Sequence, residues 1–267
     1  MPLLTLTSDY GARDYHLAVL KGNLLSALPN LNIVDINHVI NAFHIAEAAF
    51  VLNQSFGHFP TGSIHMICVD EYNDHGIPGI CMFLSGHWFI GPNNSIFPLI
   101  RPAEARTYYS LDYGPKIRRF PALEIYVPAA IHIAKGLPIE AIGKVIHHVE
   151  FTTDPNEIKV KPDKSGIEGK CIYIDNYGNV ITNIKGSYLK QIMGDRKKIN
   201  IKIPGQPPIE KLSDHYRNKK AGDLLAFINS QDLIEIAICG SSESHKNGAS
   251  QLLGISLHET PLYINFS

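Results

Sequence analysis

The sequence predicts an α/β protein, with an N-terminal parallel-sheet α/β domain followed by a smaller, mainly antiparallel C-terminal β domain. In the first half of the chain, short apolar strand patterns alternate with helical patterns, which is typical of crossover units in a parallel sheet. Beyond about residue 150 the pattern changes to short, closely spaced strands with few helical stretches. A length of 267 residues also exceeds that of a common single domain.

The first domain is predicted to span residues 1–150. It begins with an apolar run that ends in Ser8-Asp9-Tyr10-Gly11, and apolar residues then recur with the helical period as far as Leu24. In chain order we predict a strand at 3–7, a helix at 15–24, a strand at 32–36, a helix at 42–55, a strand at 63–69, a hairpin at 79–91 and a helix at 125–135.

A linker is predicted at residues 151–168, where the sequence becomes polar and rich in Asp, Pro and Lys. The β domain then follows at 169–267. Its predicted strands lie at 170–174, 180–184, 198–203, 224–228 and 234–238.

Composition and cysteine usage suggest a cytoplasmic protein without nucleic-acid or membrane partners. Lys and Arg number 24 against 25 for Asp and Glu, so the molecule has no strong field that would attract polyanions. No secretory signal is visible, and no apolar run approaches the ~20 residues needed to span a bilayer. The four cysteines are widely separated and form no CxxC pair, which argues against a zinc ribbon or a disulfide framework.

Common catalytic and nucleotide-binding motifs are absent from the sequence. It contains no GxxxxGK[ST], GxSxG, HExxH or GxGxxG, which excludes the usual signatures of phosphate binding, serine hydrolysis, zinc peptidases and dinucleotide binding. The 13 histidines are scattered, so we expect no metal site.

Polar segments follow three of the predicted strands, where open α/β sheets place their ligands. These segments are 8–11, 69–71 and 91–94, although Asp, Asn, Gly and Pro also form ordinary turns. A fourth segment, Asp175-Asn176-Tyr177-Gly178-Asn179, combines a carboxylate, an aromatic ring and an amide. Such groups suit the ribose diol and the purine of adenosine, but a tight hairpin turn explains the same residues without a ligand.

Seven segments in order resemble the S-adenosylmethionine (SAM) hydroxide adenosyltransferase family, whose members are related to the SAM-dependent halogenases. The segments are TSDYGARDYHLAVLKG, IVDINHVI, FPTGSIHMICVD, GPNN, VPAAIHIAKG, YIDNYGNVITNI and FINSQDLIEIAI. The resemblance implies an N-terminal α/β domain, a C-terminal β domain and a homotrimer that binds SAM between domains of neighbouring subunits. It also implies that SAM is the substrate and that no further cofactor is needed.

The resemblance also implies roles for individual residues. Asp70 matches the aspartate of the members that use hydroxide, and it is the expected catalytic residue that orients the attacking water. Positions expected to contact the substrate are Asp9 at the ribose hydroxyls, Asn94 in GPNN, Asp175, Tyr177 and Asn179 at the adenosine and methionine, and Ser230 near the methionine end.

Departures from the family pattern leave two hypotheses open. The family arginine is Ile77 here, and the family histidine, glycine and arginine of a later motif are Pro121, Ala122 and Leu123. Ile77, Pro121 and Leu123 would instead form an apolar wall that excludes bulk water. The protein is then either a weakened enzyme that hydrolyses SAM to adenosine and methionine, or an inactive adenosyl-ligand-binding or scaffold protein. An intermediate version retains chemistry on another substrate, with His75 in place of the missing polar group.

Overall fold

The structure is a computed structural model that describes residues 3–72, 76, 79–101, 105–111, 119–150, 157–241, 247–257 and 259–267. The chain forms two compact units, Met1–Thr153 and Asp154–Ser267.

Seven strands and four α-helices build the described part of the first unit. The strands are β1 Leu3–Ser8, β2 Asn32–Asn37, β3 Ile64–Cys68, β4 Ile80–Leu84, β5 His87–Gly91, β6 Arg106–Ser110 and β7 Lys144–Ile146. The α-helices are α1 His16–Ala27, α2 Ile45–Ser55, α3 Ile96–Leu99 and α4 Val127–Ala134, with a π-helical turn at Ala122–Tyr126 and 3₁₀ turns at Phe56–His58 and Ile139–Ala141.

The seven strands form one mixed sheet in the order β2-β1-β3-β5-β4-β6-β7. β2, β1, β3 and β5 are parallel, whereas β4, β6 and β7 pair antiparallel. The predicted parallel α/β sheet is confirmed, and so is the hairpin, in which Ser85 and Gly86 take φ of 50° and 81° in the turn.

Both faces of the sheet are covered by helices, which explains why its central strands read as continuous apolar runs. Met66 and Cys68 of β3 pack in one core with residues of α1 and α4. Ile67, which points to the opposite face, packs in a second core with α2 and α3. The alternation along β3 therefore anchors the strand whose last residues lead into Asp70.

The second unit is an antiparallel β structure, as predicted. Its described elements are β8 Lys159–Val160, β9 Gly166–Ile174, β10 Val180–Lys185, α5 Gly186–Met193, β11 Ile199–Lys202, β12 Leu224–Ile228, β13 Leu233–Ile238, α6 Ala249–Leu252 and β14 Pro261–Phe266. The strand order is β11-β14-β9-β10-β13-β12, with β8 paired to β9, and every pair is antiparallel.

The range predicted as a linker, 151–168, is partly regular structure. Residues 151–156 lie outside the described ranges. β8 and the first residues of β9 fall inside the predicted linker and pair with each other. A polar edge strand has the same composition as a linker, which is why the sequence did not separate the two. In the described ranges no helix has the length and apolar character needed to cross a membrane.

Candidate functional site

A pocket of about 280 Å³ lies in the first unit, beside the carboxyl ends of β1 and β3. This edge of an open α/β sheet is where ligands are expected. The pocket is lined by Asp9, Tyr10, Asp14, His16, Ala42, Phe43, Asp70, Glu71, Tyr72 and Phe120. Two of the residues singled out in the sequence, Asp9 and Asp70, therefore share one pocket.

Asp9 connects the segments that surround this pocket. Its Oδ2 accepts a hydrogen bond from the backbone N–H of Phe43 at 2.9 Å and from that of Asp70 at 3.3 Å. Its own N–H donates to the carbonyl of Cys68 at 3.2 Å. Among the described residues both of these side-chain bonds end on Oδ2, so Oδ1 has lone pairs available for a further hydrogen-bond donor.

Asp70 is held in an unusual backbone conformation at the end of β3. Its φ of 50° lies in the left-handed region, which Asp and Asn tolerate better than most residues. The side-chain amide of Asn94 donates to the carbonyls of Val69 and Asp70, at 2.9 and 3.2 Å. Asn94 is buried, does not line the pocket and supports the loop at Asp70 through these bonds, and its predicted substrate contact stays a prediction.

Glu71 is a buried carboxyl group in the wall of the pocket, and sequence analysis gave it no role. It is 6% exposed. Its Oε1 accepts a hydrogen bond from the hydroxyl of Tyr10, and its Oε2 accepts one from the backbone N–H of Ala122 at 3.0 Å. The thiol of Cys68 is hydrogen-bonded to the side chains of Tyr10 and Glu71.

Burial changes the protonation of this cluster. Desolvation raises the pKa of Glu71 to about 7, and the nearby charge of Asp9 adds to the rise, while the bonds from Tyr10 and Ala122 oppose it. Desolvation also raises the pKa of Tyr10 and that of Cys68 far above their usual values. Tyr10 therefore stays protonated and donates a hydrogen bond to Glu71, whose pKa is the one in this cluster that lies near neutral pH.

Aromatic rings form much of the remaining wall. The ring of Phe120 lies 6.0 Å from that of Tyr10 and 5.2 Å from that of His16, both edge-on. Phe43 is 72% exposed at the pocket and has a φ of 65°, which is strained for a bulky residue. Four carboxyl groups and several aromatic faces together suit a cationic ligand that carries a flat ring.

The predicted apolar wall is different from the one observed. Ile77 and His75 lie outside the described residues. Pro121 is buried and Leu123 packs on the first-unit core, and neither lines the pocket. Phe120 of the same segment lines it instead, because a helical turn begins after it and directs the following side chains into the core.

In the second unit, Asp175 forms the turn between β9 and β10. Its Oδ1 accepts from the backbone N–H groups of Tyr177 and Asn179, at 2.8 and 2.9 Å, and its Oδ2 accepts from the side-chain amide of Asn179 at 3.0 Å. Gly178 completes the turn with a φ of 77°. These residues therefore form a tight turn, as one of the two sequence interpretations expected. Their role in adenosyl binding stays a prediction.

Tyr177 and Asn179 differ in accessibility within this turn. Tyr177 is 58% exposed, whereas Asn179 is 4% exposed and its Oδ1 has no hydrogen-bond partner within the described ranges. Glu235, which sequence analysis missed, is also buried; burial raises its pKa, and Asn229 donates to its Oε2 at 3.0 Å. Ser230 is exposed in the turn after β12, and its predicted substrate contact stays a prediction.

Sequence patterns gave a partial signal for the missed groups. Tyr10 follows Asp9 and Glu71 follows Asp70, and both aspartates were predicted site residues. A charged residue in a turn is nevertheless usually exposed, so the sequence did not mark Glu71 as part of a site. The burial of Glu71 and its bonds from Tyr10 and Ala122, which are distant in the chain, appear only in the folded structure. Phe120 and Glu235 lacked any signal of that kind.

Comparison with known proteins identifies similar sequences along most of the chain. The model of the SAM hydroxide adenosyltransferase N-terminal domain matches residues 4–143, and that of the corresponding C-terminal domain matches residues 169–260. The (R)-S-adenosyl-L-methionine hydrolase of Methanocaldococcus jannaschii is 26% identical over 96% of this chain and 93% of its own length. A fluorinase of Nocardia brasiliensis is 24% identical over 88% of this chain and 90% of its own length.

A solved structure has the same fold. The crystal structure of a conserved protein from Thermotoga maritima superposes with a TM-score of 0.84 at 21% identity, covering 98% of this chain and 99% of that one.

Proposed function

The chain belongs to the SAM hydroxide adenosyltransferase family, and from this premise we propose that it cleaves SAM with water to give adenosine and methionine. The observation that carries this proposal is the pocket in which Asp9 and Asp70 lie together at the carboxyl ends of β1 and β3. Relatives named SAM hydrolase support the same reaction.

The chemistry requires a held ribose and an aligned water molecule. Water attacks the ribose carbon that bears the sulfonium, the carbon–sulfur bond breaks, and its electron pair stays on sulfur. In this proposal Asp9 holds the ribose hydroxyls through Oδ1, and Asp70 orients the water. Such a substitution depends more on alignment and desolvation than on strong acid catalysis. We expect slow turnover, because the family arginine and histidine positions hold Ile77 and Pro121.

Chromatography of SAM incubated with the protein tests the proposal. We expect adenosine and methionine in equal amounts, and no haloadenosine when chloride or fluoride is added. Asp70→Asn is the sharpest variant, since Asn tolerates the left-handed backbone at this position. It should lower kcat by about 10²-fold and leave KM nearly unchanged, because Asp70 acts on the attacking water.

Asp35→Asn is a matched control. Asp35 lies on β2 of the same sheet, but its carboxylate contacts Lys21 at 2.6 Å and does not line the pocket. Adenosine release equal to that without protein would refute hydrolysis. If SAM or adenosine still bound or co-purified, the inactive binding hypothesis would replace it, and an empty protein would favour the scaffold hypothesis.

We also propose a homotrimer in the cytoplasm. The homotrimer follows from the family resemblance, and light scattering of the purified protein tests it. The four cysteines are free and buried, which suits a reducing compartment.

A further inference from the structure

We propose that Glu71 is the proton-exchanging residue of this pocket and accepts the proton that water gives up when it attacks SAM. The inference rests on the proposed function and adds a residue to it. Glu71 lines the same pocket as Asp9 and Asp70, and it is the next residue in the chain after Asp70.

The reaction needs such an acceptor. When a lone pair of water forms the bond to the ribose carbon, the carbon–sulfur bond breaks and methionine leaves as a neutral thioether. The new hydroxyl of adenosine retains one proton of the water, and the second proton must leave. SAM and water thus yield adenosine, methionine and one proton, and a carboxylate at the pocket wall receives that proton before it passes to solvent.

The geometry of Glu71 suits this role. Its Oε1 accepts a hydrogen bond from Tyr10, its Oε2 accepts one from Ala122, and the thiol of Cys68 adds a third. Two carboxylate oxygens have about four lone pairs, so one remains for a proton. These bonds come from different segments and fix the carboxyl group at the pocket wall. A purely structural alternative also exists, because a carboxylate at the start of a helix satisfies its first N–H groups.

The surroundings of Glu71 favour proton exchange near neutral pH. Burial raises the pKa of Glu71 to about 7, so both forms are populated where enzymes work. A bound cation would favour the carboxylate and expel a proton. The titratable groups that face Glu71 or share its pocket are Asp9, Tyr10, Asp14, His16, Cys68, Asp70 and Tyr72.

Glu71→Gln tests the proposal through the pH dependence of kcat. In the wild type we expect kcat to rise as pH increases through about 7, since the carboxylate is the acceptor. Glu71→Gln should remove this rise and lower kcat by about 10²-fold at pH 8, with KM changed less than about threefold. Tyr10→Phe removes a bond that favours the carboxylate, so the rise should move to higher pH by about one unit.

Glu47→Gln is the matched control. Glu47 is also 6% exposed, and its Oε2 accepts two hydrogen bonds from Asn41, at 3.1 and 2.8 Å, but it does not line the pocket. It should retain the wild-type pH profile. A purely structural Glu71 would make the two variants alike, with lower stability and an unchanged profile, and this result would overturn the proposal.

Calorimetry gives a measurement that does not need turnover. Titration of SAM at pH 7 into Asp70→Asn, in which turnover is slowed, should show release of roughly half a proton per bound ligand in two buffers of different ionisation enthalpy. The double variant Asp70→Asn/Glu71→Gln should show none. Equal release in both proteins would overturn the role of Glu71. Release in Asp70→Asn together with a wild type that forms no adenosine would refute hydrolysis and leave Glu71 as the proton-exchanging residue of a binding pocket.

Discussion

The backbone N–H of Asp70 donates to Oδ2 of Asp9 at 3.3 Å, so the two aspartates singled out in the sequence are joined directly. The same oxygen accepts the N–H of Phe43 at 2.9 Å. One carboxylate therefore holds together the segments that follow β1, β2 and β3. A residue proposed to bind the ligand also organises the loops that form its pocket.

Asp9→Ala should lower both affinity and stability. Loss of the carboxylate removes a charged hydrogen-bond partner of the ribose and leaves two backbone N–H groups without their acceptor. We expect SAM affinity to fall by about tenfold or more and the free energy of unfolding to fall by about 1–3 kcal/mol. Calorimetry and urea unfolding measure the two quantities.

Asp9→Asn is the companion variant, because its side-chain oxygen still accepts backbone bonds. It should lose affinity for SAM with a smaller loss of stability. If Asp9→Ala had the same free energy of unfolding as the wild type, the bonds from Phe43 and Asp70 would contribute nothing measurable to stability.

Phe43 should show opposite effects on stability and binding. Its φ of 65° is strained for an aromatic residue and suits Asn, so Phe43→Asn should be as stable as the wild type or up to about 1 kcal/mol more stable. Removal of the aromatic face should weaken adenosyl binding by about tenfold. Urea unfolding and calorimetry with SAM test both expectations.

The control at this position is Phe43→Val, because a β-branched residue tolerates the left-handed region poorly. It should lose stability as well as affinity. If Phe43→Asn were less stable than Phe43→Val, the backbone strain would not be relieved as we expect.

The fold was more predictable than the site, for a physical reason. Strands such as β3 are buried on both faces and appear as apolar runs, whereas β6 and β7 are short or polar and were missed. Asp9 and Asp70 were found because strand ends and a family pattern both mark them. Glu71 was not assigned, since its burial and the hydrogen bonds it accepts from Tyr10 and Ala122 arise from the tertiary fold, which no local pattern specifies.

A buried histidine pair should make the first unit sensitive to acid. Nδ1 of His65 forms a hydrogen bond with the hydroxyl of Thr5 at 2.7 Å, and its Nε2 lies 3.2 Å from Nδ1 of His87. Burial lowers the pKa of His65 to about 3. Because this pKa lies below that of histidine in the unfolded chain, the contribution of His65 to stability is fully present above about pH 6.5. It is lost as pH falls towards 3. The contribution is at most about 1.4 kcal/mol per pH unit.

Urea unfolding at several pH values tests this expectation. His65→Gln should flatten the loss of stability between pH 6 and 4, roughly the interval between the unfolded and folded pKa values. His148→Gln is the control, since His148 is exposed, and it should keep the wild-type dependence. If the free energy of unfolding depended on pH in the same way in both variants, the acid sensitivity would belong to groups other than His65.

Asp175 should combine a turn-forming role with ligand binding, and two substitutions separate these roles. Asp175→Ala removes the acceptor of three hydrogen bonds from Tyr177 and Asn179, so the free energy of unfolding should fall by about 1–3 kcal/mol. Asp175→Asn retains an oxygen that accepts the two backbone bonds and should lose less than half as much. It nevertheless lacks the charge, so SAM affinity should fall by about tenfold if the carboxylate contacts the ligand. Calorimetry on Asp175→Asn decides between the roles, because wild-type affinity with near-wild-type stability would leave Asp175 a turn residue alone.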